Sequence, residues 1–146
     1  MIVFRVEGFE SDKIDELAFL ISAYTDHQGV IAARVIPQEE VRSLNVKYSH
    51  IDKSTDVLSF SYLEDPRMDS SEDLGDIVVS REHISVQARA AGNDDETEFL
   101  LLLMHGSLHV LGYDHADSNS QEAMDSLQAR IFKQLGLTYR NFGWRS

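Results

Sequence analysis

The chain has 146 residues, a net charge of −12, 42% hydrophobic and 26% charged residues, and no cysteine. This size and composition predict one folded domain over residues 1–146 rather than a disordered chain. Disulfides and thiolate catalysis are excluded, so any metal must be held by histidine or carboxylate side chains. The acidic charge argues against broad electrostatic binding to nucleic acid or to an anionic membrane.

The N-terminal residues lack the pattern of a signal peptide, and the longest apolar run, residues 99–104, is too short to cross a membrane. We therefore expect a cytoplasmic protein with no membrane partner.

Apolar spacing and capping residues predict nine elements. In chain order these are a strand over 2–6, a helix capped by Asp12 and stopped by Gly29, a strand over 30–36, a short helix beginning near Pro37, strands over 56–62 and 76–80, and helices over 80–91, 96–111 and 117–135. An exposed loop over 64–73 is expected between the last two strands. We expect Ser80, Asp94 or Asp95, and Asp117 to begin the last three helices. This order predicts an α+β domain, a small four-stranded sheet with helices packed on it.

The stretch HGSLHVLGYDH, residues 105–115, has the spacing of a three-histidine metal site. His105 and His109 lie four residues apart, so on one helix both imidazoles can face one ion. Gly112 can end that helix in a left-handed conformation and let His115 return to the ion. Three imidazoles leave one position of a tetrahedral zinc open to water, which is typical of catalytic sites. Each histidine alone could be an ordinary side chain, but the set favours a metal.

Two further positions in this stretch bear on the reaction. Zinc proteases with the H-E-x-x-H pattern use the glutamate as a base, and this chain has Gly106 there. The absence of that base favours a substrate such as a phosphodiester over a peptide. Asp114 is a candidate catalytic residue that orients an imidazole or carries a proton, although it could equally bond the backbone of the turn.

Three segments together resemble the YbeY endoribonuclease family, the ribosomal RNA maturation factors. They are HGSLHVLGYDH, STDVLSF (54–60) and LGDIVVS (74–80), and the spacing of Met124 and Gln128 agrees more loosely. The resemblance implies a small mixed sheet with the metal helix beneath it. It also implies a metal-dependent, single-strand-specific endoribonuclease that takes part in maturation of the 3′ end of small-subunit (16S) ribosomal RNA and in ribosome quality control.

The same resemblance implies a site and partners. His105, His109 and His115 would hold one divalent ion, Zn²⁺ in the first instance and Ni²⁺ as the alternative, and a water on that ion would be the nucleophile. Ribosomal RNA and the small ribosomal subunit are the implied partners, and a ribosomal protein that brings the substrate is a further candidate. The sequence does not predict an oligomeric state.

One departure from the family pattern keeps other functions open. The family has arginine where this chain has Ser49, and a hydroxyl cannot replace the five donors of a guanidinium. The alternatives are a metalloprotease-like hydrolase with Asp114 or Glu98 as base, and a non-catalytic ribosome assembly factor with a structural metal. Asp56 and Asp76, in the matched strand segments, could line the cleft or cap turns.

Overall fold

The computed structural model describes residues 1–49, 57–68, 72–113 and 117–137, and for Ser49 and Met68 the backbone only. Within these residues it contains four strands and five α-helices. They are β1 (Ile2–Glu7), α1 (Ile14–Thr25), β2 (Gly29–Ile36), α2 (Gln38–Ser49), β3 (Val57–Ser61), β4 (Asp73–Ser80), α3 (Arg81–Ala91), α4 (Asp95–Val110) and α5 (Ser118–Gln134). A short 3₁₀ turn, Pro66–Met68, lies in the predicted loop. The predicted element order and the α+β class are confirmed.

The sheet is mixed, with strand order β1-β2-β4-β3. Strands β1, β2 and β4 run parallel to one another, and β3 pairs antiparallel with β4 as an edge strand. Side chains alternate across a strand, so Ser59 and Ile77, which are register partners, point to one face. Phe60 and Val78 point to the other.

The two faces carry cores of different size. On the face of Ile77, apolar side chains of α1, α4 and α5 form the main core with those of the strands. On the opposite face, Val41 and Leu44 of α2 pack on a smaller cluster that includes Ile36 and Val78. Helix α4 lies inside the main core, and every residue from 99 to 108 is buried. The helix with the paired histidines is thus the most enclosed element described.

Strand β4 begins at Asp73, three residues before the predicted start. Its first residues are polar or small, but they pair with neighbours on both sides: Asp73 with Val30 of β2, and Gly75 with Ser61 of β3. Strand pairing therefore extends the element into a stretch whose composition is typical of a loop.

The start and end predicted for α1 were wrong. Asp12 does not cap it; the helix begins at Ile14, and the Ser11 hydroxyl accepts a hydrogen bond from the Lys13 backbone N–H at 3.1 Å. The helix ends at Thr25, and Asp26 takes the left-handed conformation with φ of 55°. Gly29 is instead the first residue of β2. Among the described helices, none is long and apolar enough to span a membrane.

The other predicted helix starts are mostly confirmed. The Asp94 side chain accepts a hydrogen bond from the Thr97 backbone N–H at 2.7 Å, and Asp117 does the same for Ser120 at 2.8 Å. Ser80 occupies the N-cap of α3 without making a side-chain cap. Its hydroxyl lies 2.7 Å from Nδ1 of His83.

Because Asp94 caps the helix that carries the histidines, its removal should be measurable as lost stability. We expect Asp94→Ala to lower the free energy of unfolding by about 1 kcal/mol, measured by urea unfolding at neutral pH. Hydrogen bonds from Thr97 hold the pKa of Asp94 below its ordinary value. Its stabilisation is therefore complete above the ordinary pKa and is lost as pH falls through the lowered one.

The matched variant is Asp94→Asn, which keeps a capping oxygen and should lose far less, with none of this pH dependence. Equal losses in the two variants would show that the cap does not carry the effect.

Candidate metal centre

Helix α4 brings the two predicted histidine ligands together. The Nε2 atoms of His105 and His109 lie 2.9 Å apart, and the ring centroids lie 4.4 Å apart with planes at 83°. His105 is 1% exposed, whereas His109 is partly exposed. The pair is thus enclosed on the side of His105 and accessible on the side of His109.

A glutamine on α5 fixes the orientation of the buried imidazole. The side-chain oxygen Oε1 of Gln128 lies 3.0 Å from Nδ1 of His105, and Gln128 is fully buried. An amide oxygen can only accept, so Nδ1 of His105 must donate, and in a neutral imidazole the lone pair then lies on Nε2. That nitrogen is the one that faces His109. Gln128 therefore presents His105 in the tautomer that a metal requires.

Sequence reasoning assigned Gln128 no role. A signal was present, because Gln128 lies on the apolar face of α5 together with Met124, Ile131 and Phe132. A polar side chain on a buried helix face must have a partner in the core.

The histidine pair is at the distance of an N–H···N hydrogen bond, and it is also close to the distance between two ligands of one metal ion. Two nitrogen ligands at about 2.0–2.1 Å from a tetrahedral zinc are about 3.3 Å apart, and the observed Nε2 separation is 2.9 Å. Two imidazole lone pairs at this distance repel each other unless a proton or a metal ion lies between them. Nitrogen ligands suit Zn²⁺ and Ni²⁺.

Two of the predicted site residues lie outside the described residues, namely His115 and Asp114. Within the described part of the chain no group of three histidine or carboxylate side chains could hold a metal. The third ligand and the role of Asp114 therefore stay predictions. The turn that leads towards them is as predicted: Gly112 has φ of 99°, and its backbone N–H bonds the carbonyl of His109 at 3.0 Å.

Gly106 lies at the contact between α4 and the sheet. A Cβ atom at this position would lie 3.1 Å from Cγ2 of Ile77 and 3.1 Å from Oγ of Ser59. These distances are tighter than ordinary van der Waals contact, so glycine lets the helix approach β3 and β4 closely. Zinc proteases carry their glutamate base at this position. In this chain, Ile77 and Ser59 of the sheet occupy the space that such a side chain would need.

Glu98, the other carboxylate considered as a protease base, is fully buried. It precedes His105 by seven residues on α4, which places it about 10 Å away along the helix axis. It is therefore too distant to take a proton from a water held by the histidine pair.

Of the other positions named from the sequence, Ser49, Asp56 and Asp76, only Asp76 has a described side chain. Ser49 ends α2, and neither its side chain nor Asp56 is among the described features. Asp76 lies inside β4 and caps no turn. Its carboxylate accepts a hydrogen bond from the Tyr62 hydroxyl. That bond, followed by burial, raises the pKa of Tyr62 to about 12.

A glutamate placed at position 106 should not restore a protease. We expect Gly106→Glu to lower the free energy of unfolding by several kcal/mol, because a carboxylate without a designed partner would be buried against Ile77. Urea unfolding measures this loss. The control, Gly106→Ala, should stay within about 1 kcal/mol of the wild type, since the gain in helix propensity offsets the crowding. Wild-type stability with new peptide hydrolysis in Gly106→Glu would contradict this account.

Comparison with known proteins agrees with the fold and with the family resemblance. The solution structure of TM1509 from Thermotoga maritima is similar to this chain over 99% of its length and 100% of that protein, with 23% sequence identity and a TM-score of 0.61. At this identity the similarity shows a shared fold. The family described as "Endoribonuclease YbeY" matches residues 13–136. Since this match covers most of the sequence, the chain belongs to the YbeY endoribonuclease family.

Proposed function

We propose that this protein is a metal-dependent, single-strand-specific endoribonuclease that takes part in maturation of the 3′ end of 16S ribosomal RNA and in ribosome quality control. Membership of the family implies an endoribonuclease of ribosomal RNA maturation. The observation that carries the metal dependence is the convergence of the His105 and His109 Nε2 atoms at 2.9 Å. In this proposal residues 1–146 act as a single endoribonuclease domain in the cytoplasm.

His105, His109 and His115 would hold one divalent ion, with Zn²⁺ as the first candidate and Ni²⁺ as the second. When bound, such an ion supplies Lewis-acid stabilisation of developing negative charge and lowers the pKa of a coordinated water. Gln128 keeps the His105 lone pair directed at the site. The partly exposed side of His109 leaves a path for the substrate.

The chain's own residues favour a phosphodiester as substrate. The described residues place no carboxylate next to the histidine pair, since position 106 is glycine against the sheet and Glu98 is in the core. A peptide bond needs a base and then an acid for its amine leaving group. Phosphoryl transfer relies more on positioning and charge stabilisation. We assign the remaining proton transfer to Asp114, so the preference for a phosphodiester rests on glycine in place of the protease glutamate at position 106.

Ribosomal RNA within the small ribosomal subunit is the proposed substrate. The net charge of −12 disfavours capture of RNA by long-range attraction alone. A ribosomal protein that brings the substrate to the site would overcome this barrier, and we propose one as a partner. The open alternative, an assembly factor with a structural metal, is tested together with the main proposal.

Loss of one histidine should abolish metal binding and cleavage together. We expect His109→Ala to contain little metal by elemental analysis and to leave a precursor 16S ribosomal RNA uncut, because a two-ligand remnant binds weakly. The control is His27→Ala, a histidine in the loop between α1 and β2, which should retain both properties. Full cleavage by protein stripped of metal would refute the proposal. Wild-type protein that binds small subunits without cutting RNA would support the assembly factor.

We expect Gln128 to affect metal binding by orienting His105, and not by contacting the RNA. We expect Gln128→Ala to weaken metal binding about 10–100-fold, the usual effect of removing a group that orients a metal ligand. Gln128→Glu keeps an acceptor for the Nδ1–H and should recover most of the affinity. Competition with a chelator of known affinity measures both variants.

Gln121→Ala, on the exposed side of the same helix, serves as the matched control. Circular dichroism shows whether each variant is folded at the assay temperature. Wild-type metal affinity in folded Gln128→Ala would show that the glutamine only fills the core.

A further inference from the structure

A second concave site lies on the sheet face opposite α4. Its apolar floor is formed by Leu44 of α2, Phe60 of β3 and Val78 of β4, and its volume is 260 Å³. Ser59 and Ile77, the neighbours of these strand residues, contact Gly106 from the other face. The groove is therefore separated from the histidine pair by the thickness of the sheet, and the proposed reaction does not use it.

An aromatic ring stands at the rim of this groove. Tyr48 is 56% exposed, yet its ring is held by an edge-to-face contact with Phe60, with centroids 5.5 Å apart and planes at 72°. The Lys47 ammonium lies 5.1 Å from the centre of the Tyr48 ring. Phe60 supports the Tyr48 ring from one side, and the ring face not covered by Lys47 provides a surface for stacking a planar group.

Polar groups of complementary kinds line the same groove. Asp76 accepts a hydrogen bond from Tyr62 through Oδ2, and among the described residues Oδ1 has no side-chain donor. The Tyr62 hydroxyl donates its proton to Asp76, so its oxygen is left to accept from a ligand. Arg34, an exposed residue of β2, adds a positive charge to the groove wall. The groove therefore offers a carboxylate acceptor, a hydroxyl and a cation around an apolar floor.

We propose that this groove binds one unpaired nucleobase of single-stranded RNA, stacked on Tyr48, with an amino group donating to Asp76. Adenine, cytosine and guanine carry such an amino group. Uracil has none, and its one donor on that edge, N3–H, lies between two carbonyl oxygens that the carboxylate repels. Lys47 and Arg34 would face the flanking phosphates. The volume is at or just below the lower limit of about 300 Å³ for ligand pockets, which suits one base. A peptide side chain of this size lacks the combination of planar face, amino donor and adjoining anion.

This inference rests on the proposed function, because it takes RNA as the ligand. Strand β3 is an edge strand, so an RNA strand held at the histidine pair can continue around that edge to the opposite face. The base in the groove would then belong to a nucleotide away from the cleaved bond. The groove would select which single-stranded segments are positioned for cutting.

Nucleoside 5′-monophosphates test the groove without cleavage, since they contain no phosphodiester. We expect AMP and CMP at millimolar concentration to shift the amide NMR signals of Tyr48, Phe60 and Asp76 in the full chain, with UMP binding more weakly. Tyr48→Ala should weaken AMP binding at least about fivefold, the low end of base–aromatic stacking. Tyr48→Phe should keep the affinity, and Asp76→Asn should remove the discrimination against UMP.

The matched control is Phe19→Ala, an aromatic residue of α1 with 58% exposure, which should bind AMP as the wild type does. Equal losses in Tyr48→Ala and Phe19→Ala, shifts confined to residues outside the groove, or no binding of any nucleotide would overturn the proposal. If the wild-type protein cleaves RNA but no nucleotide binds in the groove, the groove assignment is refuted and the proposed function stands. Groove binding without RNA cleavage would instead refute the proposed function and leave the groove assignment standing.

Discussion

The close contact between α4 and the sheet is the constraint on which the rest of this structure depends. At Gly106 the helix backbone approaches β3 and β4 so closely that even a methyl group would press on Ile77 and Ser59. The approach buries α4 from residue 97 to residue 108, and a buried helix must find partners for its polar groups. Ser107 bonds the carbonyl of Leu103 at 2.6 Å, and Ser61 of β3 bonds the carbonyl of Val110 at 2.6 Å.

The same burial creates the conditions for a metal site. An imidazole as enclosed as that of His105 is tolerated because Gln128 accepts from one ring nitrogen. The other nitrogen is then left with its lone pair directed at His109. A low-dielectric surrounding makes the partners of buried polar groups important, and at 2.9 Å the two Nε2 atoms can share a hydrogen atom or serve as two ligands of one metal ion. The burial of His105, its tautomer and its approach to His109 are thus all consequences of where α4 lies against the sheet.

Local patterns predicted the parts of this site that depend on one helix. The four-residue spacing of His105 and His109 places both rings on one face, and Gly112 ends the helix after them, as predicted. Gly106 is different. Comparison with zinc proteases explains it as a missing base, whereas the reason for glycine is the distance to Ile77, which depends on how the sheet packs.

The contacts that the sequence did not predict join elements that are distant in the chain. Gln128 reaches His105 from another helix, and no local periodicity relates the two positions. Asp76 and Tyr62 meet because β3 pairs antiparallel with β4. The extension of β4 back to Asp73 likewise depends on its partners on both sides. Element order and type follow from local spacing, but the partners of individual polar side chains follow from the arrangement of strands and helices.

An acidic protein can bind RNA because salt limits the distance over which its surface charges act. At physiological ionic strength exposed charges are screened over about 8 Å, so a bound nucleotide responds mainly to the groups beside it. On the groove face these include Lys47 and Arg34, with Asp76 placed where it can accept from a base rather than meet a phosphate. Under the proposals above, net repulsion would slow the approach of RNA and disfavour strands that do not contact both faces of the sheet. In the proposed arrangement of two sites, an acidic surface would therefore favour RNA segments long enough to reach around β3.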